Sequence, residues 1–163
     1  MLHEAPQVLI ALEQSGLAAA IRQSVWAYPA ANVGHIVALT LFAGSVSIMD
    51  ARLLGAFAAA PPADVVRPAR RAAMLGLLLM VVTGSVLFTA EASHVAMNPV
   101  FQIKAALIAL GLLNALFAGR ALDAVLADTP ARVPLPTRVR LAALLSLAIW
   151  ISVAACGRLI AYF

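Results

Sequence analysis

Four stretches of this chain are long, apolar and almost free of charge, and no other feature constrains the fold as strongly. Residues 72–90 and 141–157 carry no charged side chain, and residues 33–49 carry only the protonatable His35. Residues 100–119 are apolar but for Gln102, Lys104 and Asn114. A helix that crosses a bilayer needs about 20 such residues, and each stretch approaches that length once its flanks are added. Hydrophobic residues make up 64% of the chain and charged residues 11%, against roughly 45–50% and 25% in soluble domains. A soluble domain of 163 residues could not hide so much apolar surface. The sequence predicts an all-α integral membrane four-helix bundle in contact with lipid, a single domain over 1–163, with spans at 31–49, 71–91, 99–119 and 138–158.

The connections carry the stop signals that such spans require. Pro61, Pro62 and Pro68 interrupt the first loop, because proline lacks the amide and clashes with the preceding turn. Asn98-Pro99 reads as an N-cap followed by proline at the first helical position. Residues 130–136, PARVPLP, make a stiff loop before the fourth span.

The net charge of +4 does not signal nucleic acid, because the basic residues gather in loops. Arg52, Arg67, Arg70 and Arg71 lie between the first two spans, and Arg120, Arg132, Arg138 and Arg140 between the last two. The opposite side holds Arg22, Lys104 and Arg158. Basic loops stay in the cytoplasm, so both termini and the connection from Glu91 to Lys104 are expected to face outward. The leader MLHEAPQ lacks the basic region of a cleaved signal peptide, which predicts a mature chain beginning there. Residues 6–24 have helical composition and are expected to lie on the outer surface as an interfacial helix. Trp26 and Tyr28 follow where an aromatic belt belongs.

Within this frame, His35, Glu91, His94 and Lys104 gather near one depth. His35 comes seven residues after Tyr28, about 10 Å deeper in a continuous helix. Glu91 and His94 are three apart, on one helix face. A titratable group inside a span costs roughly 2.5–3.5 kcal/mol on insertion scales and is a functional hypothesis by default. The bland reading makes His35 helix-to-helix glue, hydrogen-bonded to a carbonyl or to Thr89. It makes Glu91 and Lys104 an interfacial ion pair or a snorkelling lysine. The functional reading makes His35 and His94 ligands of a b-type haem. Alternatively His35, Glu91 and His94 hold copper or zinc, with Met97 as a soft donor to copper. At the opposite end Asp50, next to Arg52 in MDARLLG, is expected to pair with an arginine and close the bundle. Gly44, Gly76, Gly84 and Gly111 are expected at close helix contacts, and Asn114 as interhelical glue. Cys156 is the only cysteine, which excludes an internal disulfide and a thiolate cluster.

Several strings carry a resemblance: W-x-Y-P at residues 26–29, His35, D-A-R-L-L-G at 50–55, T-G-S-x-L-F at 83–88, N-P-x-F-Q-I-K at 98–104 and L-N-A-L at 113–116. Together they resemble an uncharacterised bacterial inner-membrane family, one of the domains of unknown function, over almost the whole chain. The resemblance implies a multi-pass protein of the cytoplasmic membrane and brings no activity with it. A more distant likeness is to CopD-type copper-resistance proteins and bundle-type membrane cytochromes b, carried by the early histidine and the F-x-x-K opening. Relatives of that kind often carry histidine-arginine at the end of the third span. Here Gly119-Arg120 stands there, so an inner haem ligand is missing and a single outer site would remain.

Three classes follow: a haem- or copper-binding protein working in electron transfer or metal handling, an accessory subunit without cofactor, and a small transporter. The first would have a membrane redox partner or self-associate. Four spans leave little room for paired transporter repeats without dimerisation. Hydrolysis is disfavoured because neither a Ser-His-Asp set nor H-E-x-x-H is present. No residue is assigned a catalytic role.

Overall fold

A computed structural model describes residues 5–162, with seven helices and no strand among them. In chain order these are α1 (Gln7–Glu13), α2 (Gly16–Gln23), α3 (Ala27–Leu54), α4 (Pro62–Ala90), α5 (Ala92–Met97), α6 (Pro99–Asp128) and α7 (Thr137–Leu159). The helices α3, α4, α6 and α7 are each long and apolar enough to cross a membrane. Leu78 is 59% exposed, Ile151 67% and Phe117 73%. Apolar side chains turned outward on this scale need a hydrocarbon solvent, and the chain is a multi-pass membrane protein with an all-α bundle.

The spans outrun the limits that charge suggests at their arginine-rich end. Helix α4 begins at Pro62 and α6 runs to Asp128, so Arg67, Arg70 and Arg71 ride on the first turns of α4. A helix need not stop where hydrocarbon stops, since polar side chains continue it into the headgroup layer. Pro68 therefore lies inside α4 and does not interrupt the loop as expected. It removes only the bond to the carbonyl of Asp64, and both residues are exposed.

Local chemistry sets the ends. The carboxamide oxygen of Asn98 accepts from the amides of Val100 at 2.9 Å and Phe101 at 3.3 Å, with Pro99 at the first position of α6. Helix α3 stops at Gly55, whose φ of +115° favours glycine. The Gly55 amide donates to the Arg52 carbonyl and the Ala56 amide to the Ala51 carbonyl, at 3.1 and 2.9 Å. The expected single surface helix is two, because Ser15 stops the first and caps the second by accepting from the Ala18 amide at 3.2 Å.

Helix α3 is the hub. It packs along much of α4, and α7 bridges α3 to α6, whereas α4 and α6 scarcely meet. The α3–α4 seam is tight because Gly76 has no side chain. A Cβ there would stand 2.8 Å from the backbone nitrogen of Phe42. At Gly84 it would stand 3.2 Å from Cε1 of His35, and at Gly111 2.8 Å from the Trp150 ring. Phe42 and Trp150 meet edge to face at 4.6 Å between centroids, joining α3 to α7. The Asn114 side chain donates to the Ala142 carbonyl at 3.1 Å, the interhelical role expected of it. Gly44 departs from expectation, being exposed with open space where a side chain would go.

The seam yields a paired prediction. Gly76→Ala should lower unfolding stability in detergent by about 1–3 kcal/mol, since helix backbone must move to admit a methyl group. Gly44→Ala should be neutral or stabilising by up to about 1 kcal/mol through helix propensity. Equal effects at the two positions would show that Gly76 does not govern the seam.

Candidate functional site

His35 sits on the third turn of α3, against the glycine and threonine of α4's T-G-S segment. Its Nδ1 lies 2.8 Å from the Thr83 hydroxyl, and that hydroxyl lies 2.7 Å from the Leu79 carbonyl. Thr83 has one proton, and the carbonyl can only accept it. The hydroxyl oxygen therefore accepts from Nδ1–H, which places the imidazole in the Nδ1-protonated tautomer. In the neutral ring the lone pair then lies on Nε2, and no hydrogen bond reaches that nitrogen among the described residues. The orienting partner differs from the one expected: Thr89 turns back on its own helix and donates to the Ser85 carbonyl at 2.8 Å. Thr83 stands six residues deeper, about 9 Å, at the depth of His35.

Lys104, on α6, comes within electrostatic reach of His35 on one side and Cys156 on the other. Its Nζ stands 3.5 Å from where a Cβ on Gly157 would lie, so glycine on α7 admits the ammonium. Thr83 and His35 meet directly, while Lys104 of α6 and Cys156 of α7 lie at longer range at the same end of the bundle. Cys156 was legible only as a lone cysteine, and its partnership with Lys104 depends on how α6 and α7 pack.

Glu91 and His94 do not share this site. His35 packs at Gly84, and six more residues of α4, about 9 Å of rise, separate that level from Ala90. Glu91 is exposed beside the Tyr28 hydroxyl and makes no ion pair with Lys104; the ion pair found among the described residues is Arg70–Asp123. His94 is exposed on α5, near Glu13, and Met97 is 37% exposed at the end of that helix. No group of three His, Cys, Asp or Glu side chains is arranged to hold a metal ion among the described residues. His3 lies outside the described residues.

The arginine-rich end departs further from expectation. Asp50 is 1% exposed and Arg52 2%, yet they do not pair, because residues two apart on a helix point to different faces. Arg52 donates through Nη2 to the Ala60 carbonyl at 2.8 Å. Asp50 faces inward beside Ser146, and its Oδ2 has no hydrogen-bond partner. It borders a cleft of about 640 Å³ between α4 and α6. Phe88 stacks on Phe101 at 5.7 Å between centroids above this cleft, and Arg70 reaches Asp123 at 2.7 Å below it. The reasoning that singles out His35 as an intramembrane titratable group applies equally to Asp50; adjacency to Arg52 in sequence concealed it.

The surface helices are clamped to the His35 end. Glu13 accepts from the amide and the hydroxyl of Ser93, satisfying a free amide in the first turn of α5. Arg22 donates to the carbonyls of Glu13 at 2.9 Å and Ala90 at 2.7 Å, covering the end of α4. The two hydrogen bonds from Ser93 hold the Glu13 carboxyl below the usual carboxylate range, with Arg22 adding to the effect. A lowered native pKa contributes stability above the unfolded value of about 4.3, and that stability is lost as pH falls through the native one. Amide protection in α2 should therefore fall on acidification below the carboxylate range, and at neutral pH in Glu13→Gln by roughly threefold to tenfold. Hydrogen exchange reads this directly; protection independent of both pH and Glu13 would exclude the clamp.

Comparison with known proteins is informative at the level of family. No curated protein and no solved structure matches the chain, so the distant likeness to copper-resistance proteins and membrane cytochromes finds no support there. Residues 13–163 match the family of unknown function DUF6644, which takes in α2 and all four spans. The chain belongs to that family.

Proposed function

We propose that the protein is a redox component of the bacterial cytoplasmic membrane that binds a b-type haem through His35, at the end of the bundle facing outward. The observation that carries this reading is the orientation of His35, with Nδ1–H held by Thr83 and Nε2 left as a free donor. A histidine ligand must be neutral, with its second nitrogen anchored, and the Thr83 contact supports this reading by anchoring Nδ1. The charge beside it chooses between the cofactors. Lys104 repels a bare copper or zinc ion, whereas an ammonium near His35 suits the anionic propionates of a haem. Copper also lacks the three-donor set expected of His35, Glu91 and His94. Haem would supply one-electron chemistry, with its potential set by the axial ligand and its surroundings; the chain's own part is to fix the imidazole and place a cation nearby. His94 as a second ligand belongs to this proposal and requires α5 to approach His35.

A second reading has its own support, because the Thr83 contact also satisfies a histidine acting purely as glue between α3 and α4. The protein would then be an accessory subunit without cofactor. Protein purified in detergent from cells supplied with haem precursor and copper separates the two. The haem reading predicts a Soret band that His35→Ala abolishes, together with little copper. Colourless, metal-free protein would establish the accessory reading, and His35→Gln should then be tolerated.

The orientation forms part of the proposal and rests on the basic loops. Alkaline phosphatase fused after the last residue should be active, and a fluorescent protein fused there dark. The reverse pattern would place His35 toward the cytoplasm.

A further inference from the structure

We infer that the cleft between α4 and α6 is an intramembrane binding site for a lipophilic cation, with Asp50 as its counter-charge. The site is independent of any cofactor at His35. Its volume of about 640 Å³ falls in the range of small-molecule sites, and its walls are chiefly apolar, with Phe42, Leu77, Leu112 and Trp150 among them. It opens sideways, toward the bilayer, because α4 and α6 scarcely touch between the Phe88–Phe101 stack and the Arg70–Asp123 pair. A molecule dissolved in the hydrocarbon reaches it without crossing water.

Asp50 gives the cleft its chemistry. The residue is 1% exposed, and Oδ2 is buried with no hydrogen-bond partner. A carboxylate taken from water into such a place needs a partner cation or several donors. No neighbouring cation pairs with Asp50 among the described residues. Arg70, on the cleft wall, is bound to Asp123; Arg52 gives Nη2 to the Ala60 carbonyl, with its Nε unpartnered; and Arg138, also on the cleft wall, is exposed on the first turn of α7. Arg138 lies eight residues from Ser146, the residue beside Asp50, which is about 12 Å along the helix. A ligand with an apolar body and a protonated amine supplies the missing donor and the missing charge together. Asn114, also on the cleft wall, has a carboxamide oxygen that can accept a second N–H, since its amide is already given to Ala142. Phe42 and Trp150, edge to face, offer aromatic surface to a flat cation.

Trp150 makes the site readable. The chain has two tryptophans, so Trp26→Phe leaves Trp150 as the one reporter. That variant, in lipid nanodiscs, would be titrated with 9-aminoacridine, a flat cationic amine, and with anthracene, its uncharged counterpart. The inference predicts saturable quenching by 9-aminoacridine that is at least tenfold weaker in Asp50→Asn. It predicts no saturable quenching by anthracene. Asp50→Asn keeps the side-chain shape, and Ala115→Phe, which fills the cleft from an exposed position, gives a second route to the same loss. Equal binding of the two probes would overturn the inference and leave a groove for lipid chains. So would unchanged binding of 9-aminoacridine in a folded Asp50→Asn or Ala115→Phe variant.

Discussion

The close approach of α3 and α4 is the constraint on which the rest of the structure depends. Gly76 lets the α4 surface meet the backbone at Phe42, and Gly84 lets the same surface meet the ring of His35. Between helices in lipid there is no hydrophobic driving force, so packing and polar contacts decide association, and small residues set how near the backbones come. Two consequences follow from one seam. His35 is pressed onto Thr83 and held in one tautomer. And because α4 is committed to α3, while α6 is held by α7, the side between α4 and α6 stays open.

That opening organises the polar residues into two sites at different depths. At one end, His35 is held by Thr83, with Lys104 and Cys156 of the other two spans within electrostatic range. At the other, Asp50 stands buried without an ion pair, its Oδ2 unpartnered, beside walls that are chiefly apolar. The Arg70–Asp123 pair that closes the cleft is partly exposed, with side chains 40% and 63% accessible. Such pairs contribute about 0–1 kcal/mol, so the closure can open at small cost.

The architecture was legible in the sequence because lipid leaves a strong compositional trace: four long apolar runs, nearly free of charge, and a capping Asn98-Pro99. Helix ends were less legible, since α4 and α6 continue as helices into the charged segments that flank their apolar runs. The candidate site was read only in part. His35 stood out as a titratable group in hydrocarbon, but Thr89 and Thr83 are both threonines of α4 one and a half turns apart, and only the register of α3 against α4 chooses between them. Glu91 and Lys104 lie close in sequence yet separate in space, because α5 turns between them. Asp50 was expected to pair with an arginine and makes no ion pair; Arg52, two residues on, faces another side of α3.

The central claim is that the α3–α4 seam holds His35 neutral, with its proton on Nδ1 and a free donor on Nε2. Nitrogen-15 NMR of selectively labelled, cofactor-free protein at neutral pH tests it most directly, with His35→Gln to assign the signal. The account predicts a protonated Nδ1 and an unprotonated Nε2 shift for His35, with the fixed tautomer lost in Thr83→Val. An Nε2-protonated ring, or a shift averaged between tautomers in the unsubstituted protein, would contradict it.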